Sequence, residues 1–123
     1  MIIIHVMGGL GNQLYQYALS EKLKQLGKEV KLDLYAYTDA KGEEREWREL
    51  ELERLEGLEY TVCTRQERTL FLDNSMKFAD RVRRKLTGRK DRTVAETADY
   101  MPEIFEMDDV YLYGFWGCER YYK

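Results

Sequence analysis

The sequence predicts an α/β fold, a Rossmann-like parallel sheet flanked by helices, and three consecutive stretches predict it. Residues 2–7 form an almost unbroken apolar run, residues 12–27 repeat apolar side chains at helical spacing, and residues 29–34 alternate apolar with polar. A strand, a tight turn, a helix and a second strand make a βαβ unit. Such a crossover implies parallel strands and right-handed winding.

The first strand, Ile2-Ile3-Ile4-His5-Val6-Met7, is apolar on both faces except at His5, as expected of a strand covered on both sides. His5 is the single histidine. With no Ser or Cys nucleophile near it in sequence, it reads as a hydrogen-bonded structural residue. In the helix that follows, Leu14, Tyr15, Ala18, Leu19, Leu23 and Leu26 fall on one face. Gln16, Ser20, Glu21, Lys24, Gln25 and Lys28 fall on the other, which predicts an apolar side turned to the core. Asn12 is the expected N-cap and Gly27 the expected stop. The second strand sets Val30, Leu32 and Leu34 against Lys31 and Asp33.

Further along, residues 39–59 are rich in glutamate with Arg45, Arg48 and Arg54 interleaved, the pattern of a solvated loop with its charges partnered. Residues 60–63 read as a short strand. Residues 75–87 read as a helix with Met76, Ala79, Val82 and Leu86 on its apolar side. Beside them stand Arg81, Arg83, Arg84, Lys85, Arg89, Lys90 and Arg92. Such a basic stretch over 81–92 suits a phosphate, an anionic membrane surface or an ordinary solvated helix end. Residues 110–116 read as another strand, and Phe115, Trp116, Tyr121 and Tyr122 as a candidate exposed apolar patch. Pro102 falls in a loop.

The chain has 123 residues, of which 44% are hydrophobic and 35% charged, enough for one α/β domain over 1–123 with a real core. The net charge of −3 gives no reason to expect nucleic acid as a partner. Ten tyrosines suit half-buried packing or sugar platforms. Cys63 and Cys118 show neither metal spacing nor a redox pair, so a reducing compartment and no metal are expected. The opening lacks the basic flank and apolar length of a signal peptide. The expected location is cytoplasmic, with membrane contact at most peripheral.

Chemistry is expected at Gly8-Gly9-Leu10-Gly11-Asn12-Gln13. Gly8, Gly9 and Gly11 permit positive φ and close approach of a ligand. The helix start offers free N–H groups and a positive dipole end. Asn12 and Gln13 add side-chain donors and acceptors. Gly9-Leu10-Gly11 after a strand, with Asp33 ending the next, also suggests a dinucleotide turn, but Leu14 stands where its third glycine belongs. No GK[ST] follows, which excludes a Walker A loop.

The run Gly8-Gly9-Leu10-Gly11-Asn12-Gln13-Leu14-Tyr15-Gln16-Tyr17-Ala18 resembles the N-terminal signature of the α-1,2-fucosyltransferases of glycosyltransferase family 11, commonly GGLGNQMFQYA. Lys31-Leu32-Asp33 is similar to the family's next strand, and Arg48-Glu49-Leu50-Glu51-Leu52 loosely to its R-x-F-E-L stretch. Val110-Tyr111-Leu112-Tyr113-Gly114-Phe115-Trp116-Gly117-Cys118-Glu119-Arg120-Tyr121-Tyr122 is similar to VYLEGYWQSEKYF, with Gly117 and Cys118 departing. The resemblance implies the N-terminal half of a GT-B-like enzyme. Such an enzyme moves L-fucose from GDP-fucose to a galactose 2-hydroxyl with inversion, generally without metal. It carries Gly8, Gly9, Gly11, Asn12 and Gln13 over as residues of the donor cleft. The family's H-x-R-[RL]-G-D stretch, which grips GDP-fucose, has no counterpart here, and no catalytic base is identified. The expectation is therefore a truncated enzyme, lacking its C-terminal GDP-fucose-binding domain and inactive or incomplete alone, its partner a missing C-terminal domain or a second chain. The alternatives are a stand-alone glycan-binding or interaction module, or an NAD-dependent oxidoreductase domain.

Overall fold

A computed structural model describes residues 1–123. Four strands form one parallel sheet: β1 (Ile2–His5), β2 (Val30–Asp33), β3 (Thr93–Ala95) and β4 (Tyr111–Tyr113), in the order β2-β1-β4-β3. Helices are α1 (Leu10–Gln25), the single turn α2 (Tyr35–Thr38), α3 (Arg65–Leu72) and α4 (Phe78–Thr87). The α/β class and the βαβ unit hold: β1 pairs β2 with His5 opposite Asp33, and pairs β4 with His5 opposite Tyr113. The 60–63 segment contributes one parallel bridge, Val62 to Leu32, at the outer edge of β2.

Strand alternation sorts the core into two layers. Ile2, Ile4, Leu32 and Leu112 face α1 and pack with Leu19, Leu23, Leu52, Ile104, Trp116 and Tyr121. Ile3 and Tyr111 face the other way, onto Phe71 of α3. The chain leaves β1 toward one edge of the sheet and reaches β4 from the other. The carboxyl ends of β1 and β4 therefore flank a topological switch point, where ligands of open α/β sheets bind.

Several expectations are corrected. Helix α1 begins at Leu10, with Gly9 as its N-cap in extended backbone and no side-chain cap, so Asn12 is already inside the first turn. Gly27, at φ +87°, does follow its end. Its inner face carries Gln13, Gln16 and Ser20 beside Leu19 and Leu23, while Leu14, Tyr15 and Leu26 are exposed. Gln13 and Gln16 are buried there because distant backbone groups satisfy them, and Ser20 because its hydroxyl donates to the Tyr17 carbonyl one turn back. The strand expected over 110–116 ends at Tyr113. Beyond it the Glu96 carboxylate accepts hydrogen bonds from the N–H groups of Phe115 and Trp116, each at 3.0 Å, and turns the chain away. That turn drives Trp116 and Tyr121 into the core, so of the expected patch only Phe115 is open and Tyr122 half-buried.

Helix α3 is present where no helix was expected. Its start is a capping box: the Thr64 hydroxyl accepts from the Glu67 N–H, and the Glu67 carboxylate accepts from the Thr64 N–H. Helix α4 confirms most of the expected 75–87, but its apolar side joins neither core layer.

Candidate functional site

Two features meet at the carboxyl edge of the sheet: the β1–α1 turn and a half-open cavity beside it. The turn is held from several directions. Gly8 sits at φ +84°, and a Cβ there would approach the Asn12 Nδ2 to 2.7 Å, so this position needs glycine. The Gly8 N–H donates to the Glu46 carboxylate (2.8 Å), and its carbonyl accepts from the Tyr37 hydroxyl (2.7 Å) and the Gln13 amide (3.0 Å). Burial, then the nearby Glu46 charge, pushes the Tyr37 phenol far above its ordinary range, so it remains a neutral donor to Gly8.

Gln13 and Gln16 are fully buried staples. The Gln13 amide also donates to the Glu49 carbonyl and accepts from the Glu51 N–H. Gln16 accepts from the Met7 N–H and donates to the Gly114 carbonyl, tying β1 and β4 to the helix between them. Of the expected cleft residues, Gln13 therefore positions the turn from behind, with its side chain out of a ligand's reach.

What the turn presents outward is a set of hydrogen-bond donors, with the Glu46 carboxylate beside them on the N–H groups of Gly8 and Arg48. The N–H groups of Gly9, Leu10, Gly11 and Asn12 make no hydrogen bond within the chain, the usual state of a helix start. The Asn12 side chain is half-buried over Gly8 and has no hydrogen-bond partner. Arg48 has no carboxylate partner, and its guanidinium lies against Gly9, where a Cβ would come within 2.5 Å of Nη1. Gly11 has nothing within 4 Å of a Cβ built on it. The fold does not require glycine there.

The adjoining cavity, about 290 Å³, is lined by His5, Met7, Tyr35, Arg45, Glu46, Arg68 and Tyr113 among others. Its floor is a buried polar chain. The His5 Nδ1–H donates to the Tyr111 hydroxyl (2.8 Å), because that hydroxyl donates its own proton to the Asp33 carboxylate. Arg68 Nε donates to the same carboxylate oxygen (3.0 Å), and the Tyr35 N–H donates to the other (3.0 Å). Burial would raise the Asp33 pKa. The imidazole of His5, the Tyr111 hydroxyl, the Tyr35 N–H and the Arg68 charge outweigh it and hold the carboxyl below its usual range. Burial, then the Asp33 charge, pushes the Tyr111 phenol far up. His5 stacks on Tyr113, ring centroids 4.8 Å apart. The expected structural role of His5 is thus met by a hydrogen bond no sequence spacing announces, 106 residues away.

A second hollow of about 440 Å³ lies across Arg68 and includes Cys63. Burial, with the charges of Asp33 and Glu67 adding, pushes the Cys63 thiol up to about 12. It is a thiol at neutral pH and no nucleophile. No three His, Cys, Asp or Glu side chains converge in a way that would hold a metal ion, and no helix is long and apolar enough to cross a membrane. No protein family, curated protein or solved structure matches this chain.

Proposed function

We propose that this chain forms one wall of a sugar-nucleotide cleft, the donor-side turn of a fucosyltransferase resembling the α-1,2-fucosyltransferases of glycosyltransferase family 11. The donor is GDP-fucose and the acceptor a galactose 2-hydroxyl. One observation carries the reading. The GGLGNQ run builds a turn at the switch point with unpaired N–H groups at its helix start, the Asn12 amide over Gly8 and the Arg48 guanidinium against Gly9. A diphosphate accepts hydrogen bonds from all three kinds of donor.

The chemistry follows from that placement. In inverting transfer the sugar gains oxocarbenium character while GDP leaves as an anion, and preorganised donors stabilise the leaving charge. Gly9 to Asn12 supply fixed backbone donors and Arg48 a mobile cation. Glu46 stays on Gly8 and keeps the turn in shape. The residues that would grip the nucleotide through an H-x-R-x-G-D stretch are absent from these 123 residues. The turn therefore contributes one side of the site, and this chain alone is expected to transfer little or no fucose.

Asp33 bears on the nicotinamide alternative. Its carboxylate is 3% exposed and taken by Arg68, Tyr111 and Tyr35, which favours the fucosyl reading over one needing Asp33 for a ribose. The tyrosines and His5 of the cavity favour a glycan-binding module as the second reading. Titration calorimetry with GDP-fucose, GDP, a galactoside and NAD separates the three. GDP and GDP-fucose binding, weakened in Asn12→Ala with the fold intact, is the expected result. Galactoside binding without nucleotide assigns the second reading, and NAD binding alone the third.

A further inference from the structure

Helix α4 is built inside out. On a helix of ten residues, about 15 Å long, Phe78, Val82 and Leu86 recur every fourth position and form one stripe. That stripe opens to solvent at both ends: Phe78 is 80% exposed and Leu86 78%, with Val82 at 39% between them, and no residue of the helix is buried. The side turned to the body is polar. Arg83 and Arg84 both bind the Asp73 carboxylate, and Arg84 also donates to the Ser75 carbonyl. Asp73 accepts from the Lys90 N–H as well, and with these donors its pKa lies below the usual range, so the anchor is ionised at neutral pH.

Lys77, Arg81 and Lys85 form a second stripe along one edge of the apolar one, again every fourth residue. All three are exposed and none lies within ion-pairing distance of a carboxylate. A protein of net charge −3 has thus set three unpaired cations beside an exposed apolar stripe.

We propose that α4 is an interfacial helix that docks this protein on the surface of an anionic lipid bilayer. Charge complementarity selects that occupant. The apolar stripe enters the acyl boundary while the lysines and arginine meet the headgroup phosphates, the arrangement of helices that lie in the interface plane. A second copy of the same face would bring the unpaired cations against each other. The polar attachment through Asp73 leaves the stripe free without disturbing the sheet.

The test is co-sedimentation of the full chain with vesicles of phosphatidylcholine alone and of phosphatidylcholine with phosphatidylglycerol. Binding to the anionic vesicles on the order of tenfold or more above neutral ones is expected from the unpaired cations. High salt should abolish it. Phe78→Asp with Leu86→Asp, and separately Arg81→Glu with Lys85→Glu, should each abolish it while circular dichroism is unchanged, since these side chains support nothing in the fold. A Phe78→Trp reporter should shift to the blue with anionic vesicles only. Three results overturn the proposal: no binding to anionic vesicles, equal binding to neutral ones, or undiminished binding by the charge-reversed pair. A dimer lost in Phe78→Asp with no vesicle binding would instead assign the face to a second copy.

Discussion

At the scale of single residues, Asp33 carries the most consequence. It is the buried carboxylate on which Arg68, Tyr111 and the Tyr35 N–H converge. Its folded pKa lies below the ordinary 3.8. The stability it adds is therefore complete above about pH 4 and is lost as pH falls through the lowered folded value. Replacing it with asparagine leaves Arg68 without its partner in a site only 16% exposed, a change that costs about 3 kcal/mol. Urea unfolding at pH 7 should show Asp33→Asn less stable by about that amount, and the difference should shrink toward pH 3. Equal stability at pH 7 would show that the network does not hold the sheet edge. Of this network, only the hydrogen-bonded role of His5 was legible in the sequence. Asp33 and His5 are recognisable as polar residues at strand ends, but Tyr111 reads only as part of an apolar run and Arg68 lies in a helix that was not expected.

At the scale of elements, the three glycines of the first turn separate into different roles. Gly8 is required by backbone geometry, whereas Gly11 lies inside the first turn of α1 with open space around it. Gly11→Ala should raise stability by about 0.5–1 kcal/mol through helix propensity, and Gly8→Ala should lower it because φ is +84° and Asn12 is in the way. A Gly11→Ala variant that is more stable yet binds GDP-fucose less well would mark Gly11 as kept for the ligand; unchanged affinity would remove it from the site. Thermal melts with and without nucleotide read both effects.

The elements also show what periodicity conveys. The period of α1 was legible and its burial only in part. Leu19 and Leu23 are inward as the 3.6-residue spacing predicts, whereas Gln13 and Gln16 are inside because carbonyls at Gly8, Glu49 and Gly114 await their amides. Helix α3 could have been found from Thr64 and Glu67, a threonine followed three residues later by glutamate, which is the sequence form of a capping box. Strand β3 had no such signal: Thr93-Val94-Ala95 is three residues long and half exposed, too short to alternate. Helix α4 was expected to pack its apolar side because helices of soluble domains ordinarily do. Its inversion depends on Asp73, which no pattern in α4 itself announces.

At the scale of the whole molecule, one sheet serves two chemistries on opposite sides of β1. Its α1 side is a conventional apolar core closed by Trp116 and Tyr121. Its α3 side becomes polar toward the carboxyl edge, where His5 pairs in register with Asp33 and the hydroxyl of Tyr111, which stands opposite Ile3, reaches both side chains. The switch point places the turn and the cavity together, with Glu46 belonging to both. The central proposal is that the turn receives the diphosphate of GDP-fucose. Amide chemical shifts of the isotope-labelled chain, followed as GDP-fucose is added to millimolar concentration, test it most directly. The account predicts shifts concentrated at Gly9, Leu10, Gly11 and Asn12, with the Asn12 side-chain amide moving too, and smaller or absent shifts with NAD. Silence at those four amides, or shifts centred elsewhere, would contradict it.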